Sequence, residues 1–309
     1  MNNNNIFELL SKFLSQEQIL KSEPMKKHTS FKIGGNADFL VLPNSISQIQ
    51  EAISTCQQNN INYYVIGNGS NLLVSDDGFD GVIIKISKNF KGIEFDENNK
   101  SVISIKSGTL LSLVAKKAYE NSLSGLEFAS GIPGTIGGGV CMNAGAYGSE
   151  LKDIITHVIV LNTKSNQIVK LSNKECNFKY RNSDILKKGL IVLEVILKLN
   201  YAEKSDISAT MKEFNRQRTE KQPVNLPSAG STFKRPLDNF AGKLIMDAGL
   251  RGYTIGGASI SEKHCGFIVN DNNATCNDVL SLINLARTKV KEEFNILLEE
   301  EIRIIGKFG

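Results

Sequence analysis

The stretch GLEFASGIPGTIGGGVCMNAGAYG, residues 125–148, is the most unusual part of this 309-residue chain. It holds eight of the chain's 26 glycines and one charged residue, Glu127. Flexible glycine-rich linkers usually carry serine and charged residues, whereas this stretch carries Leu, Phe, Ile, Val and Met. We therefore expect a buried backbone that turns sharply and lets another group come close, because glycine lacks Cβ and tolerates positive φ.

Two interpretations of this stretch stay open when it is considered alone. Backbone N–H groups in such a loop can form a concave anion site, which predicts a loop that holds a large phosphorylated ligand. The alternative is a set of tight turns or bulges inside a β-rich core.

The composition of the whole chain predicts a globular protein of two or three domains. It is 41% hydrophobic and 22% charged, and its net charge is only +4, with the lysines scattered through the chain. We therefore expect no nucleic-acid partner. No apolar run is long enough for a membrane span, and residues 1–13 do not have the pattern of a secretory signal.

The cysteines and histidines predict neither a disulfide framework nor a metal site. The five cysteines form no CxxC pair, and the three histidines lie far apart in the sequence. This usage is typical of reduced thiols in a cytosolic protein, so we expect a cytoplasmic location and no metal.

The first half of the chain predicts a leading helical segment, residues 1–27, followed by alternating strands and helices. The apolar residues between Ile6 and Leu14 recur at helical spacing, and Ser45 is placed to cap the helix that follows it. Strands are predicted at residues 37–42, 63–66, 72–74, 81–87 and 101–107, and a further helix is predicted at 110–121.

A second glycine-containing loop, GNGSNLL at residues 67–73, resembles a phosphate-binding turn without matching the Rossmann fingerprint. Leu72 stands where the third glycine of that fingerprint would be, and the loop lies between two predicted strands. An ordinary hairpin or crossover loop is the alternative.

In the second half, the pattern changes near residue 200, where we place a domain boundary. A charged helix is predicted at residues 205–219 and an amphipathic helix at 275–294, whose Thr275 and Asp278 fit a capping box. Strands are predicted at residues 154–162, 167–171, 190–199 and 301–305. Alternation along the last of these would put Glu301, Arg303 and Ile305 on one face.

Taken together, these motifs resemble one family, the UDP-N-acetylenolpyruvoylglucosamine reductases (MurB), which are flavoenzymes that make UDP-N-acetylmuramate for bacterial peptidoglycan. Each motif is weak alone, but they keep the family order and cover nearly the whole chain after residue 27. The segments are HTSFKIGG (28–35), VIGNGSNLLV (65–74), SGIPGTIGGGVCMNAGAYG (130–148), YRNSDI (180–185), SAGSTFKRP (228–236), AGKLIMDAGLRG (241–252) and EEIRIIG (300–306).

The resemblance implies an α+β fold with contiguous domains. Residues 28–200 would form an FAD-binding domain of the vanillyl-alcohol oxidase (PCMH) type, in two subdomains divided near residue 90. Residues 201–309 would form a smaller α+β substrate-binding domain. The short connection after Arg181 resembles the shorter, type II subclass.

The resemblance also implies which residues bind FAD. Two loops, 67–71 and 131–138, would hold the FAD pyrophosphate through backbone N–H groups. The residues carried over from the family motifs are Gly67, Asn68, Gly69, Ser70, Asn71, Gly131, Pro133, Gly134, Thr135, Ile136, Gly137, Asn143, Ala144 and Gly145.

The reaction implied is reduction of UDP-N-acetylglucosamine enolpyruvate, with NADPH first reducing FAD, and the flavin then passing hydride to the enolpyruvyl methylene carbon. Ser231 would donate the proton to the α-carbon, Arg181 would meet the developing enolate, and Glu301 would act as an acid or polarising partner. Tyr147, Lys234 and Arg235 would contact the substrate, and His264 would be either near the site or structural. A monomer is expected.

Two rival functions remain on sequence grounds. One is another FAD-dependent oxidase or dehydrogenase of the same superfold, acting on an alcohol or a hydroxy acid. The other is a non-catalytic protein that binds a flavin or a nucleotide sugar and consumes no NADPH.

Overall fold

The computed structural model describes residues 3–308. Its helices are α1 Asn3–Leu10, α2 Ile46–Gln58, α3 Leu111–Glu120, α4 Ile136–Cys141, α5 Asp184–Lys187, α6 Lys204–Lys221, α7 Ala241–Asp247 and α8 Cys276–Phe294. Short 3₁₀ turns lie at Gln16–Gln18, Met25–Lys27, Glu127–Ala129 and Leu151–Asp153.

The strands are short and numerous. They are β1 Ile19–Pro24, β2 Asn36–Val41, β3 Tyr63–Ile66, β4 Leu72–Val74, β5 Phe79–Lys85, β6 Ile93–Phe95, β7 Val102–Lys106, β8 Leu123–Ser124, β9 Gly145–Ala146, β10 Ser149–Glu150, β11 Ile155–Asn162, β12 Gln167–Ser172, β13 Leu190–Lys198, β14 Asn200–Tyr201, β15 Ser228–Ser231, β16 Thr254–Ile255, β17 Ala258–Ile260, β18 Phe267–Asn270 and β19 Arg303–Ile305.

These strands form one five-stranded sheet, two four-stranded sheets and several two-stranded ladders in the described chain. The five-stranded sheet has the order β12-β11-β13-β7-β6, and the four-stranded sheets have the orders β1-β2-β5-β3 and β15-β18-β17-β16. The pair β4–β19 is parallel, with Leu72 opposite Arg303.

The chain divides into two compact units that each take several stretches of sequence. Unit 1 comprises residues 1–20, 39–68 and 81–217, and unit 2 comprises residues 21–38, 69–80 and 218–309. These boundaries differ from the contiguous boundaries predicted from the sequence. The physical reason is pairing: β4, from early in the chain, hydrogen-bonds to β19, from late in the chain, and both belong to unit 2.

Unit 1 contains two hydrophobic clusters. One is built mainly by residues 6–90, around α2 and the buried side chains Phe39 and Ile49. The other is built by residues 103–199, around α3 and strands β7, β11 and β13. The helix α2 begins after Ser45, whose side chain accepts a hydrogen bond from Gln48 N, as predicted.

Unit 2 packs around α8. Its cluster includes Val279 and Leu282 from that helix, together with Phe31 and Leu73 from early stretches of the chain. The predicted capping box is confirmed: the Thr275 side chain accepts from Asp278 N, and the Asp278 side chain accepts from Thr275 N.

The prediction of a helical segment over residues 1–27 was correct only for its first part. The helix ends at Leu10, and β1 occupies residues 19–24. The sequence ILKSEP lacks alternation, so its strand character comes from its neighbour β2 in the sheet. Within residues 3–308, no helix combines the length and hydrophobicity needed to cross a membrane.

Candidate active site

The glycine-rich stretch lies in unit 1 and contains a short helix as well as a loop. The loop leads to Thr135, the N-cap of α4, whose side chain accepts a hydrogen bond from Gly138 N at 3.3 Å. The chain therefore turns sharply before α4, and most residues of α4 are buried, as the sequence predicted.

The amide groups of this stretch fall into two classes. The N–H groups of Ile136 and Gly137 donate to Thr109 O at 2.8 Å and to Ser107 O at 3.0 Å. The Gly138 amide is paired as well, so residues 136–138, the helical part of the predicted loop 131–138, have no unpaired amide for a ligand. The buried amides of Gly134 and Thr135, in contrast, have no acceptor within residues 3–308.

These two unpaired amides are the feature that points to a ligand. Buried backbone N–H groups in folded proteins are almost always paired, so a pair without acceptors predicts an acceptor from outside the chain. An anionic diphosphate supplies such oxygens. The residues present thus fit the pyrophosphate of FAD, with Gly134 and Thr135 as the buried residues of loop 131–138 whose amides have no acceptor in the described chain.

Gly67 lies next to this cradle. A Cβ at Gly67 would lie 2.5 Å from Thr135 Oγ1. This distance is shorter than a normal contact, so any other residue at position 67 would displace the Thr135 side chain. The absence of Cβ is therefore what lets the two predicted loops approach within unit 1. Asn68 is the last residue of that stretch of unit 1, and Gly69, Ser70 and Asn71 belong to unit 2.

The remaining predicted cofactor residues, Asn143, Ala144 and Gly145, have structural partners. The fully buried Asn143 side chain donates to Glu150 Oε2 and Lys179 O and accepts from Lys152 N. Gly145 starts a hairpin in which Tyr147 and Gly148 both have positive φ, the requirement of a type I′ turn.

Arg181 sits at a tight turn in unit 1. Its φ is +50°, and the flanking residues Lys179 and Asn182 form an isolated antiparallel bridge. The guanidinium donates from Nη2 to Gly145 O at 3.1 Å and lies over the Tyr180 ring. The structure therefore brings Arg181 to the hairpin that carries Tyr147.

Tyr147 is stacked on an aromatic residue that the sequence did not single out. The Phe214 ring is parallel to the Tyr147 ring, with centroids 4.2 Å apart, and Tyr147 Oη donates to Phe214 O at 2.8 Å. Phe214 lies on the highly charged helix α6, where no strong apolar periodicity marks it.

Ser231 ends β15 in unit 2, next to Gly230 with φ +82°. Its side chain is partly buried, and its hydroxyl makes no hydrogen bond to any residue between 3 and 308. The space beside Gly230 is open, since no atom of residues 3–308 other than its two chain neighbours lies within 4 Å of where its Cβ would be. Ser231 thus presents a protic group without a competing protein partner.

Glu301 lies next to this segment in unit 2. Its N–H donates to Thr232 O at 2.8 Å, and its C=O accepts from Asn71 Nδ2 at 3.1 Å. The strand prediction was wrong at this position: β19 begins at Arg303, so Glu301 lies outside the strand. The strand β19 starts at Arg303 because that residue pairs with Leu72, the first residue of β4.

The predicted substrate residues Lys234 and Arg235 already have partners in the structure. Lys234 Nζ lies 2.9 Å from Glu299 Oε2, and the Arg235 guanidinium stacks over the Phe240 ring at 3.9 Å. His264 is engaged locally: its Nδ1 accepts from Gly266 N, and burial lowers the pKa of its imidazole. These contacts favour a structural role for His264.

Within residues 3–308, no three acidic, histidine or cysteine side chains are placed to share a metal ion. The chemistry of the described site residues is that of amides, a hydroxyl, a guanidinium and a carboxylate.

Comparison with protein families identifies both halves of the chain. A model described as "FAD binding domain" matches residues 37–172, and one described as "UDP-N-acetylenolpyruvoylglucosamine reductase, C-terminal domain" matches residues 222–305. The UDP-N-acetylenolpyruvoylglucosamine reductase of Lachnoclostridium phytofermentans is 48% identical over 99% of this chain and 98% of its own.

Solved structures agree. The crystal structure of UDP-N-acetylenolpyruvylglucosamine reductase (MurB) from Thermus caldophilus is 35% identical, with a TM-score of 0.78 over 91% of this chain and 97% of that one. The glucose dehydrogenase Phl p 4.0202 is 13% identical, with a TM-score of 0.50 over 74% of this chain and 52% of that one, and shows the fold alone. The predicted α+β fold with an FAD-binding domain is confirmed, and the chain belongs to the UDP-N-acetylenolpyruvoylglucosamine reductase family.

Proposed function

We propose that this chain catalyses the NADPH-dependent reduction of UDP-N-acetylglucosamine enolpyruvate to UDP-N-acetylmuramate, a step of peptidoglycan synthesis. The observation that carries the proposal is the family relationship, 48% identity over 99% of the chain. FAD is the cofactor and NADPH the co-substrate.

FAD, when bound, supplies the transfer of hydride from NADPH to the enolpyruvyl group. On this proposal, the Gly134 and Thr135 amides bind its diphosphate, because they are the buried donors of loop 131–138 that lack acceptors in the described chain. Gly67 allows the close approach of the neighbouring loop.

The protein's own groups then manage charge and protons. Arg181 stabilises the negative charge that develops on the substrate carboxylate, since a guanidinium fork matches a carboxylate. Ser231 delivers the proton to the α-carbon, and Glu301 acts as acid or polarising partner. Support for Ser231 is its hydroxyl, which has no partner among the described residues.

Substrate binding is assigned to Tyr147, Lys234 and Arg235. Support comes from the exposure of Tyr147, with 38% of its surface accessible, and from the position of Lys234 and Arg235 just after Ser231. Lys234 would exchange its ion pair with Glu299 for an anionic group of the substrate. We further propose a monomer of the shorter, type II subclass that works in the cytoplasm.

The test of the function is anaerobic absorbance of the purified protein between about 300 and 550 nm. NADPH should bleach a flavin spectrum, and the enolpyruvyl substrate should then restore it without oxygen. A spectrum that recovers only when oxygen is admitted would indicate an oxidase instead. A protein that takes up no FAD would overturn the assignment of both glycine loops.

A further inference from the structure

The loop assigned to the cofactor also contacts the segment assigned to acid chemistry. Asn71 is the last residue before β4, and its side-chain Nδ2 donates to Glu301 O at 3.1 Å. A carbonyl oxygen can only accept, so the amide nitrogen of Asn71 must be the atom that faces it. That nitrogen is therefore committed to the protein.

The main chain of Asn71 makes a second contact to the same segment. Asn71 O accepts from Arg303 N at 2.9 Å, and this bond leads into the parallel pair of β4 with β19. Asn71 thus contacts residues 301 and 303, one with its side chain and the other with its backbone. The side-chain bond adds a further link to Glu301, which lies outside the strand.

Glu301 is held from the other direction by the serine segment. Its N–H donates to Thr232 O at 2.8 Å, one residue after Ser231. Phe233 and Glu300 form an isolated antiparallel bridge beside this bond. Both peptide groups of Glu301 are therefore fixed, on one side by Thr232 and on the other by Asn71.

We propose that Asn71 is a positioning residue, which sets the place of Glu301 relative to Ser231 within unit 2. The inference rests on the proposed function, because it assumes that Glu301 acts in protonation. It differs from the sequence-based assignment, in which Asn71 binds FAD.

The first test measures how fast the NADPH-reduced protein is reoxidised by the enolpyruvyl substrate, per bound flavin and without oxygen. We expect Asn71→Ala to slow this step roughly tenfold, the effect of one lost hydrogen bond of moderate strength, and to shift its pH dependence. Reduction by NADPH, measured per bound flavin, should change much less than reoxidation. Asn71→Asp should be at least as slow, because a carboxylate faces the Glu301 carbonyl without a proton to donate.

The matched control is Asn270→Ala. The Asn270 Nδ2 atom also donates to a backbone carbonyl in unit 2, that of Phe31, at the same distance of 3.1 Å, and is also partly buried. This variant should lose stability and keep the wild-type reoxidation rate and pH profile. If Asn71→Ala behaves like Asn270→Ala, Asn71 does not position Glu301.

A second measurement does not depend on flavin or substrate. Hydrogen exchange of the peptide that covers residues 299–303 should become faster in Asn71→Ala and stay unchanged in Asn270→Ala. Unchanged exchange in Asn71→Ala overturns the proposal, even if that variant fails to bind FAD. If the wild-type protein itself is not reoxidised by the substrate, the proposed function fails instead, and hydrogen exchange still decides the role of Asn71.

Discussion

Ser231 illustrates how weakly a single side chain signals its role. A serine in a Gly-Ser turn is usually a turn residue, and its assignment as proton donor came from the resemblance of SAGSTFKRP to the family. The structure adds that Ser231 Oγ makes no hydrogen bond to residues 3–308 and that the space beside Gly230 is open. Arg181 likewise became a candidate only through its motif, although its positive φ is unusual for arginine.

Removing the Ser231 hydroxyl should separate the two half-reactions. In Ser231→Ala, reduction of the flavin by NADPH should persist, whereas reoxidation by the enolpyruvyl substrate should slow by roughly 10² or more, the usual contribution of a proton donor. Stopped-flow absorbance measures both steps.

The control is Ser259→Ala, which removes a buried serine hydroxyl from β17 of the same sheet. It should leave both half-reactions at wild-type rates. Wild-type turnover of the enolpyruvyl substrate by Ser231→Ala would exclude Ser231 as the proton donor.

Among the elements, α8 was the most predictable because its signals are local. Thr275 and Asp278 lie three residues apart, and the apolar residues that follow repeat at helical spacing, so both cap and face could be predicted from the sequence. The strand β1 was missed and the start of β19 was misplaced for the opposite reason. Their pairing partners, β2 and β4, lie elsewhere in the chain, and no local pattern encodes that pairing.

The capping box predicts a measurable loss of stability. Thr275→Ala should lower the free energy of unfolding by about 1 kcal/mol, since the Asp278 amide loses its acceptor. Circular dichroism should show Tm lower by roughly 2 °C. The exposed Thr210 of α6 provides the control, and Thr210→Ala should not lower Tm. An equal change in both variants would show that the Thr275 cap contributes nothing specific.

The same box predicts how stability depends on pH. Hydrogen bonds to the Asp278 carboxylate, first from the Thr275 backbone and then from Gly257, hold its pKa below the ordinary value. This contribution is therefore fully present above the unfolded pKa of about 3.9 and is lost as pH falls through the lower folded pKa. Asp278→Asn should weaken the acid-induced decrease in Tm, and an unchanged decrease would contradict it.

For the whole molecule, the fold could be predicted through the family resemblance, but the division into units could not. The two family models suggest contiguous domains, since the FAD-binding model matches residues 37–172 and the C-terminal model matches residues 222–305. In the structure, unit 2 also needs residues 21–38 and 69–80. Contacts between stretches that are far apart in the sequence decide which residues belong to each unit, and such contacts cannot be predicted from the local pattern of a single sequence.

An isolated segment of residues 218–309 should therefore fail to fold. It lacks β4, the partner of β19, and it lacks the buried Phe31 and Leu73 of the unit 2 core. Thermal scans of this segment should show no cooperative transition. The intact protein is the positive control, and a cooperative transition in the segment alone would show that the early stretches are dispensable.

The parallel pairing of β4 with β19 also constrains how the protein is made. Leu72 leaves the ribosome 231 residues before its partner Arg303, a delay on the order of ten to fifty seconds at ordinary translation rates. During that time the nascent chain carries the apolar strand Leu72–Val74 without its partner. Unit 2 is thus completed only after nearly all of the described chain has been synthesised, and chaperones that shield exposed strands have this interval in which to act on residues 72–74.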